Sequence, residues 1–136
     1  MTSKLKRKHK RLSANSRDDL RFVKLDYFLL KCEAFREVSG GAFKLYLKVR
    51  ERYNGLNNGT ISFSVREAAE ELGITPTTGS KYFRELTDKG FLRIKQKGSY
   101  NLKTRHATLW IITAERYNNK AASNDFMSWI KHDAKK

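Results

Sequence analysis

The stretch SVREAAEELGITPTTGSKYFRELTDKGFL, Ser64 to Leu92, holds two helix signals in immediate succession. Ser64-Val65-Arg66-Glu67 is a capping box, in which the serine hydroxyl accepts from the third amide and Glu67 reaches back. Val65, Ala68, Ala69 and Leu72 line one helical face, and Gly73 supplies the stop. Thr75-Pro76 opens a second helix, with Thr as N-cap and Pro at the first helical position, where its missing N–H costs nothing. That helix is expected to run to about Lys89, and Gly90 ends it. Only Gly73-Ile74-Thr75 joins the two helices, a turn too short for anything but a tight angular crossing. Ile74 is expected to plug the corner, with Gly79, Phe83 and Leu86 facing inward and Gly79 letting the helices approach closely. The opposite face of the segment opened by Pro76 shows Thr77, Thr78, Ser80, Lys81 and Arg84. Short polar donors near the N-terminus and cations one turn later are what a recognition helix needs for base edges and phosphates.

Downstream, two apolar strands are expected at Phe91–Gln96 and His106–Thr113, separated by the basic stretch KGSYNLKTR. In that loop Lys97, Lys103 and Arg105 are placed to track phosphates or enter the minor groove, with Tyr100 lying along the backbone. Leu109, Trp110, Ile111 and Ile112 are consecutive, so both faces of the returning strand are apolar. One face belongs to the core. The other needs a cover, either a short C-terminal helix starting at Asn124 and carrying Phe126, Met127 and Trp129, or a second protomer. Upstream, the apolar run from Phe22 to Val38 reads as helix from Asp26, with Leu25, Phe28, Leu29, Cys32 and Phe35 on one face. Ser39 starts a further helix to about Tyr53, in which Ala42, Leu45, Tyr46, Val49 and Tyr53 form a stripe that Phe43 and Leu47 widen. Asn54 to Gly59, NGLNNG, is turn chemistry, and Thr60–Ser64 reads as a brief strand.

The succession of capped helix, LGI-T turn, second helix, E-L-x-x-K-G-F and hairpin resembles the winged helix-turn-helix of bacterial regulators, including those shaped like the GntR repressors. The wider stretch from Phe22 to Thr113, with FVKL, SGGAFKLYL, RYNGLNNG and RHATLW, resembles small bacterial winged-helix proteins of mobile elements and replication initiators. Tyr82 stands where such helices usually place a small residue, and the hairpin loop is long for the family. The resemblance implies a mainly α fold with a small β-hairpin wing (α+β). The chain is expected to divide into a disordered basic arm at 1–17, poor in apolar residues and self-repelling, a winged helix-turn-helix domain at 18–116 (helix-turn-helix 64–90, wing 91–113) and a C-terminal tail with a short helix at 117–136.

Charge points the same way. Lys and Arg total 29 against 14 Asp and Glu, a formal net charge of +15 over 136 residues. Residues 1–17 hold Lys4, Lys6, Arg7, Lys8, Lys10, Arg11 and Arg17 with no acidic residue, and residues 93–105 hold five more cations with none. These two segments carry twelve of the fifteen excess charges, which suits a balanced body with two basic appendages binding a polyanion. One cysteine, Cys32, makes no internal disulfide and reads as a small core residue. His9, His106 and His132 lack ligand spacing, so no metal and no cofactor are expected. Glu70-Glu71 and Asp18-Asp19 are sequence neighbours that cannot face each other on a helix, and no nucleophile has a recognisable base, so an enzyme is not expected. No apolar run approaches the roughly 18–20 residues of a membrane span, and no apolar stretch follows the basic N-terminus as in a secretory signal.

The expectation is therefore a cytoplasmic, nucleoid-associated protein that binds double-stranded DNA sequence-specifically, as a bacterial transcriptional regulator. Alternatives are an origin-binding or excision factor of a mobile element, and a winged-helix protein-interaction module. A homodimer or a protein partner is possible on either reading, and no membrane is involved. RNA is disfavoured because the aromatic sheet motifs that stack unpaired bases are absent.

Overall fold

Three of the helix starts carry the hydrogen bonds that their residue types promise. In the computed structural model of the protein, which describes residues 21–100 and 105–131, Ser39 Oγ accepts from the Ala42 amide at 3.2 Å and opens a helix. Ser64 and Glu67 complete a reciprocal capping box, the Glu67 amide donating to Ser64 Oγ and the Ser64 amide to the Glu67 carboxylate. Thr75 Oγ1 accepts from the Thr78 amide, with Pro76 at the first helical position. Gly73 and Gly90 end the second and third of these helices in the left-handed region, with φ of 67° and 86°.

The described elements are α1 (Tyr27–Lys31), α2 (Glu33–Glu37), α3 (Gly40–Glu51), β1 (Ile61–Ser62), α4 (Val65–Leu72), α5 (Pro76–Asp88) and β2 (Leu92–Gln96). There follow β3 (Ser99–Tyr100), β4 (Arg105–His106), β5 (Leu109–Ile112) and a 3₁₀ helix, Asp125–Ser128. The fold is α+β: five α-helices among the described residues and a small antiparallel sheet in the order β1-β5-β2. Ile61 pairs with Trp110 and Leu92 with Ile112, and the β2 ladder slips between Ile94 and Gln96. β3 and β4 form a separate ladder, with Ser99 opposite His106 and Tyr100 opposite Arg105.

Two expected elements divide. The run from Phe22 to Val38 is two five-residue helices rather than one, because Cys32 is extended (φ −80°, ψ 163°). A continuous helix would set Leu29 and Ala34 about 140° apart around its axis. The break lets both be buried. The Cys32 thiol lies at both ends of the break, donating to the Leu29 carbonyl and accepting from the Phe35 amide at 3.4 Å. Asp26 occupies the N-cap position of α1 without making a side-chain cap bond. The returning strand is likewise split at Thr108, whose carbonyl accepts from the Phe63 amide and whose hydroxyl accepts from the Gly98 amide.

A single cluster forms the core, with Tyr46, Phe63, Phe91 and Phe126 its largest fully buried side chains. Phe83 stacks on Trp110 at 4.5 Å between centroids, and Phe91 stacks on Phe126 at 5.3 Å. Trp110 Nε1 donates to the Phe63 carbonyl, so its polar edge is satisfied. Phe126 draws the 3₁₀ helix into this core, so packing continues past Arg116 into the segment expected as a tail. It joins the cluster of Trp110 and Ile112, to which Ile111 on the other face does not belong, although Ile111 is buried too. The terminal element therefore completes the main core through Phe126.

Arg50 is the other unexpected core member. It is 7% exposed, and its Nη2 donates to Glu115 at 2.6 Å and to the Lys24 carbonyl at 3.0 Å. The pair ties residues 21–26 and the segment after β5 to α3. Burial pushes the neighbouring Tyr46 hydroxyl up to about 12, although the Arg50 charge opposes it.

Candidate nucleic-acid interface

α5 buries Gly79, Phe83 and Leu86 and turns Thr77, Lys81 and Arg84 to solvent on the opposite side. Ser80 and Thr78 are half-buried at the edges of that face, and Thr78 Oγ1 accepts from Thr75 Oγ1 at 3.0 Å. Pro76 is exposed at the helix start. Among the described residues, neither Lys81 nor Arg84 lies within ion-pair distance of a carboxylate. Asp88, one turn beyond Arg84, sits near the end of the helix and marks where the cationic stripe stops. Its position four residues after Arg84 is the signal by which the sequence could have bounded the stripe.

Carboxylates on α4 are mostly occupied from behind. Arg52 reaches Glu67 at 3.8 Å and bonds Glu71, while Lys48 reaches Glu51 at 2.6 Å and Glu71 at 3.6 Å. The hydrogen bond to Glu51 holds the Lys48 ammonium above its usual range. Nothing local in the sequence says which charges of α3 and α4 will meet in this network. It leaves Arg66 and Glu70 as the exposed charges of α4 outside the network.

On the hairpin, Lys95 and Lys97 are exposed, and Lys95 sits at the slip in the β2 ladder. Lys95 belongs to the basic run of the sequence, and its place at the strand slip shows only in the structure. Arg93 is turned instead to Asp125 at 3.6 Å. Tyr100 and Arg105 fall opposite each other on β3 and β4. Lys103 lies outside the described residues, as does the basic arm of Lys4, Lys6, Arg7, Lys8, Lys10 and Arg11.

The back of α5 is fixed by its own E-L-x-x-K-G-F segment. Glu85 accepts from both the Ser39 amide (2.6 Å) and the Ser39 hydroxyl (2.8 Å), which anchors the start of α3. Lys89 lies 4.9 Å over the Trp129 ring and 3.8 Å from Glu85. At Gly90 an added Cβ would come within 2.8 Å of the Asp125 and Phe126 backbone. Tyr82 lies across Gly41, where any Cβ would overlap its ring. The large residue in α5 is accommodated by a glycine in α3.

Gly79 is a correction to the expected close approach. A Cβ there would meet Val65 at 3.5 Å and Ile74 at 3.9 Å, ordinary contact distances, so the crossing of α4 and α5 does not require glycine.

Among the described residues no cluster of three or more His, Cys, Asp or Glu could hold a metal, and no helix is long and apolar enough to cross a membrane. Compared with protein-family models, curated proteins and solved structures, the chain finds no match.

Proposed function

We propose that the chain is a sequence-specific double-stranded DNA-binding protein of the winged helix-turn-helix class, acting as a bacterial transcriptional regulator at the nucleoid. The observation that carries the reading is the exposed stripe Thr77–Lys81–Arg84 on α5. Its cations meet no carboxylate among the described residues, while the same helix is held rigidly from behind. A guanidinium on a fixed helix can keep one register against a guanine edge, and a lysine one turn earlier can take the same edge or a phosphate. Lys95 and Lys97 on the hairpin supply a second contact to the flanking backbone, in the role of a wing, and the arm adds phosphate contacts that carry no sequence information. An origin-binding or excision factor would use the same surface at a different site.

The test compares a preferred duplex, selected from a random pool, with its scrambled version across a salt series. Deleting residues 1–17 weakens binding to both and flattens the dependence of log affinity on log salt, by roughly 0.9 for each phosphate that is no longer neutralised. Arg84→Ala costs about 1–3 kcal/mol on the preferred duplex and much less on the scrambled one. If arm deletion erases sequence preference while Arg84→Ala lowers both duplexes equally, the assignment is wrong.

A further inference from the structure

We propose that α1 and the 3₁₀ helix together form a self-association surface, whose occupant is a second copy of this chain. Tyr27, Phe28 and Leu30 on α1 are 79%, 41% and 37% exposed, and Met127 and Ile130 are 47% and 61% exposed. The two elements form one surface. Phe28 stacks on Phe126 at 6.1 Å, and Lys131 closes the far side, its amide donating to Glu33 at 3.0 Å and its ammonium 3.5 Å from Glu37. The five apolar side chains expose on the order of 500 Å² against about 800 Å² per partner in a standard interface, so polar neighbours supply the remainder.

Charge selects the occupant. Residues 21–38 and 125–131 carry five basic and four acidic residues, a local balance of +1 in a chain of +15. Two copies bring their excess charge together with the least repulsion across this face. The rim is also self-complementary. Asp26 makes no cap bond, and among the described residues neither Asp26 nor Arg36 has an ion-pair partner. A two-fold arrangement offers each protomer's free carboxylate to the other's guanidinium. The surface lies on elements other than α5 and the hairpin, and the inference stands or falls independently of DNA binding.

The experiment is sedimentation of the full chain without DNA over a concentration series reaching high micromolar. The expected result is a mass moving from 15.8 kDa to twice that value. Tyr27→Glu combined with Ile130→Glu, both at exposed positions, is expected to stay at the single-chain mass with unchanged circular dichroism. Leu56→Glu is expected to dimerise like the parent, since Leu56 is 94% exposed on the loop between α3 and β1. A parent that stays monomeric overturns the proposal and gives the surface to a different protein. So does a folded Tyr27→Glu/Ile130→Glu chain that still dimerises, or a parent that forms open-ended larger species. Should the double variant fail to fold, Met127→Lys repeats the test at a single exposed position.

Discussion

Gly90 and Gly73 both lie at positive φ, 86° and 67°, but only one has a neighbour in the way. Alanine at either position incurs the left-handed penalty of an L-residue, roughly 1–2 kcal/mol. At Gly73 nothing lies within 4 Å of the new Cβ, so that penalty is the whole cost. At Gly90 the Cβ falls 2.8 Å from the Asp125 carbonyl carbon and the Phe126 nitrogen, and 3.0 Å from the Asp125 oxygen. All three are backbone atoms, so no rotamer change relieves the overlap. The 3₁₀ helix must move outward, taking Phe126 off Phe91. Complete loss of a buried phenyl ring costs about 3–5 kcal/mol, so a partial withdrawal adds about 1–3 kcal/mol to the conformational penalty. The expected cost is thus about 1–2 kcal/mol for Gly73→Ala and about 2–5 kcal/mol for Gly90→Ala. Urea unfolding with matched m-values measures both. In a Phe126→Ala background the two glycine variants should converge, because the displaced ring is already gone. Equal costs for the two single variants, or additive behaviour of Gly90→Ala with Phe126→Ala, would refute the reasoning.

Gly79→Ala should stabilise the fold by about 0.5–1 kcal/mol, since the methyl finds ordinary contacts and alanine is the better helix former; a loss of stability in thermal unfolding would contradict this. Glu115→Ala leaves Arg50 buried without its carboxylate and should cost about 3–5 kcal/mol, whereas Arg50→Met leaves the more exposed Glu115 carboxylate, which water can reach, and should cost less in the same assay. Tyr46 gives a pH dependence. Burial raises its pKa from 10.0 to about 12, so the folded chain keeps the proton while the unfolded chain releases it. Its contribution is full below pH 10 and declines between pH 10 and 12, by about 2–3 kcal/mol in all. In Tyr46→Phe that part of the decline disappears, and stability at neutral pH is equal or higher because the hydroxyl has no partner among the described residues.

Local chemistry was legible in the sequence wherever both partners sit within a few residues. The caps at Ser39, Ser64 and Thr75, the turn at Asn54–Gly59 and the stops at Gly73 and Gly90 all follow from residue type and spacing. Long-range choices were not. The apolar run around Cys32 satisfies a helical period throughout, and the break that lets both Leu29 and Ala34 enter the core does not show in that period. The bond from Ser39 to Glu85 spans 46 residues, and that of Arg50 to Glu115 spans 65. No pattern in either segment names the other. The candidate site shows the same division. Periodicity finds the stripe of α5, but a count of cations cannot separate Lys81 and Arg84 from Arg52 and Arg93, whose charges meet carboxylates.

The arrangement behind α5 bears on what its exposed face can do. A base-reading side chain discriminates only if its Cα cannot shift to suit a mismatched edge. Arg84 is followed directly by Glu85, whose two bonds to Ser39 fix that turn of the helix to the start of α3. Leu86 is fully buried, and Lys89 rests on Trp129. Gly90 leaves the helix against the 3₁₀ segment with no space to adjust. The constraints fall on the inward side of the last two turns, and none of them involves Thr77, Lys81 or Arg84. On the proposed function, substitution of the outward residues weakens DNA binding while the interactions that secure the fold stay in place, and exposed changes of that kind stay within about 0.5 kcal/mol of the parent stability. If α5 reads bases as proposed, a rigid platform and a freely variable reading surface, two properties usually in tension, fall on opposite sides of one thirteen-residue helix.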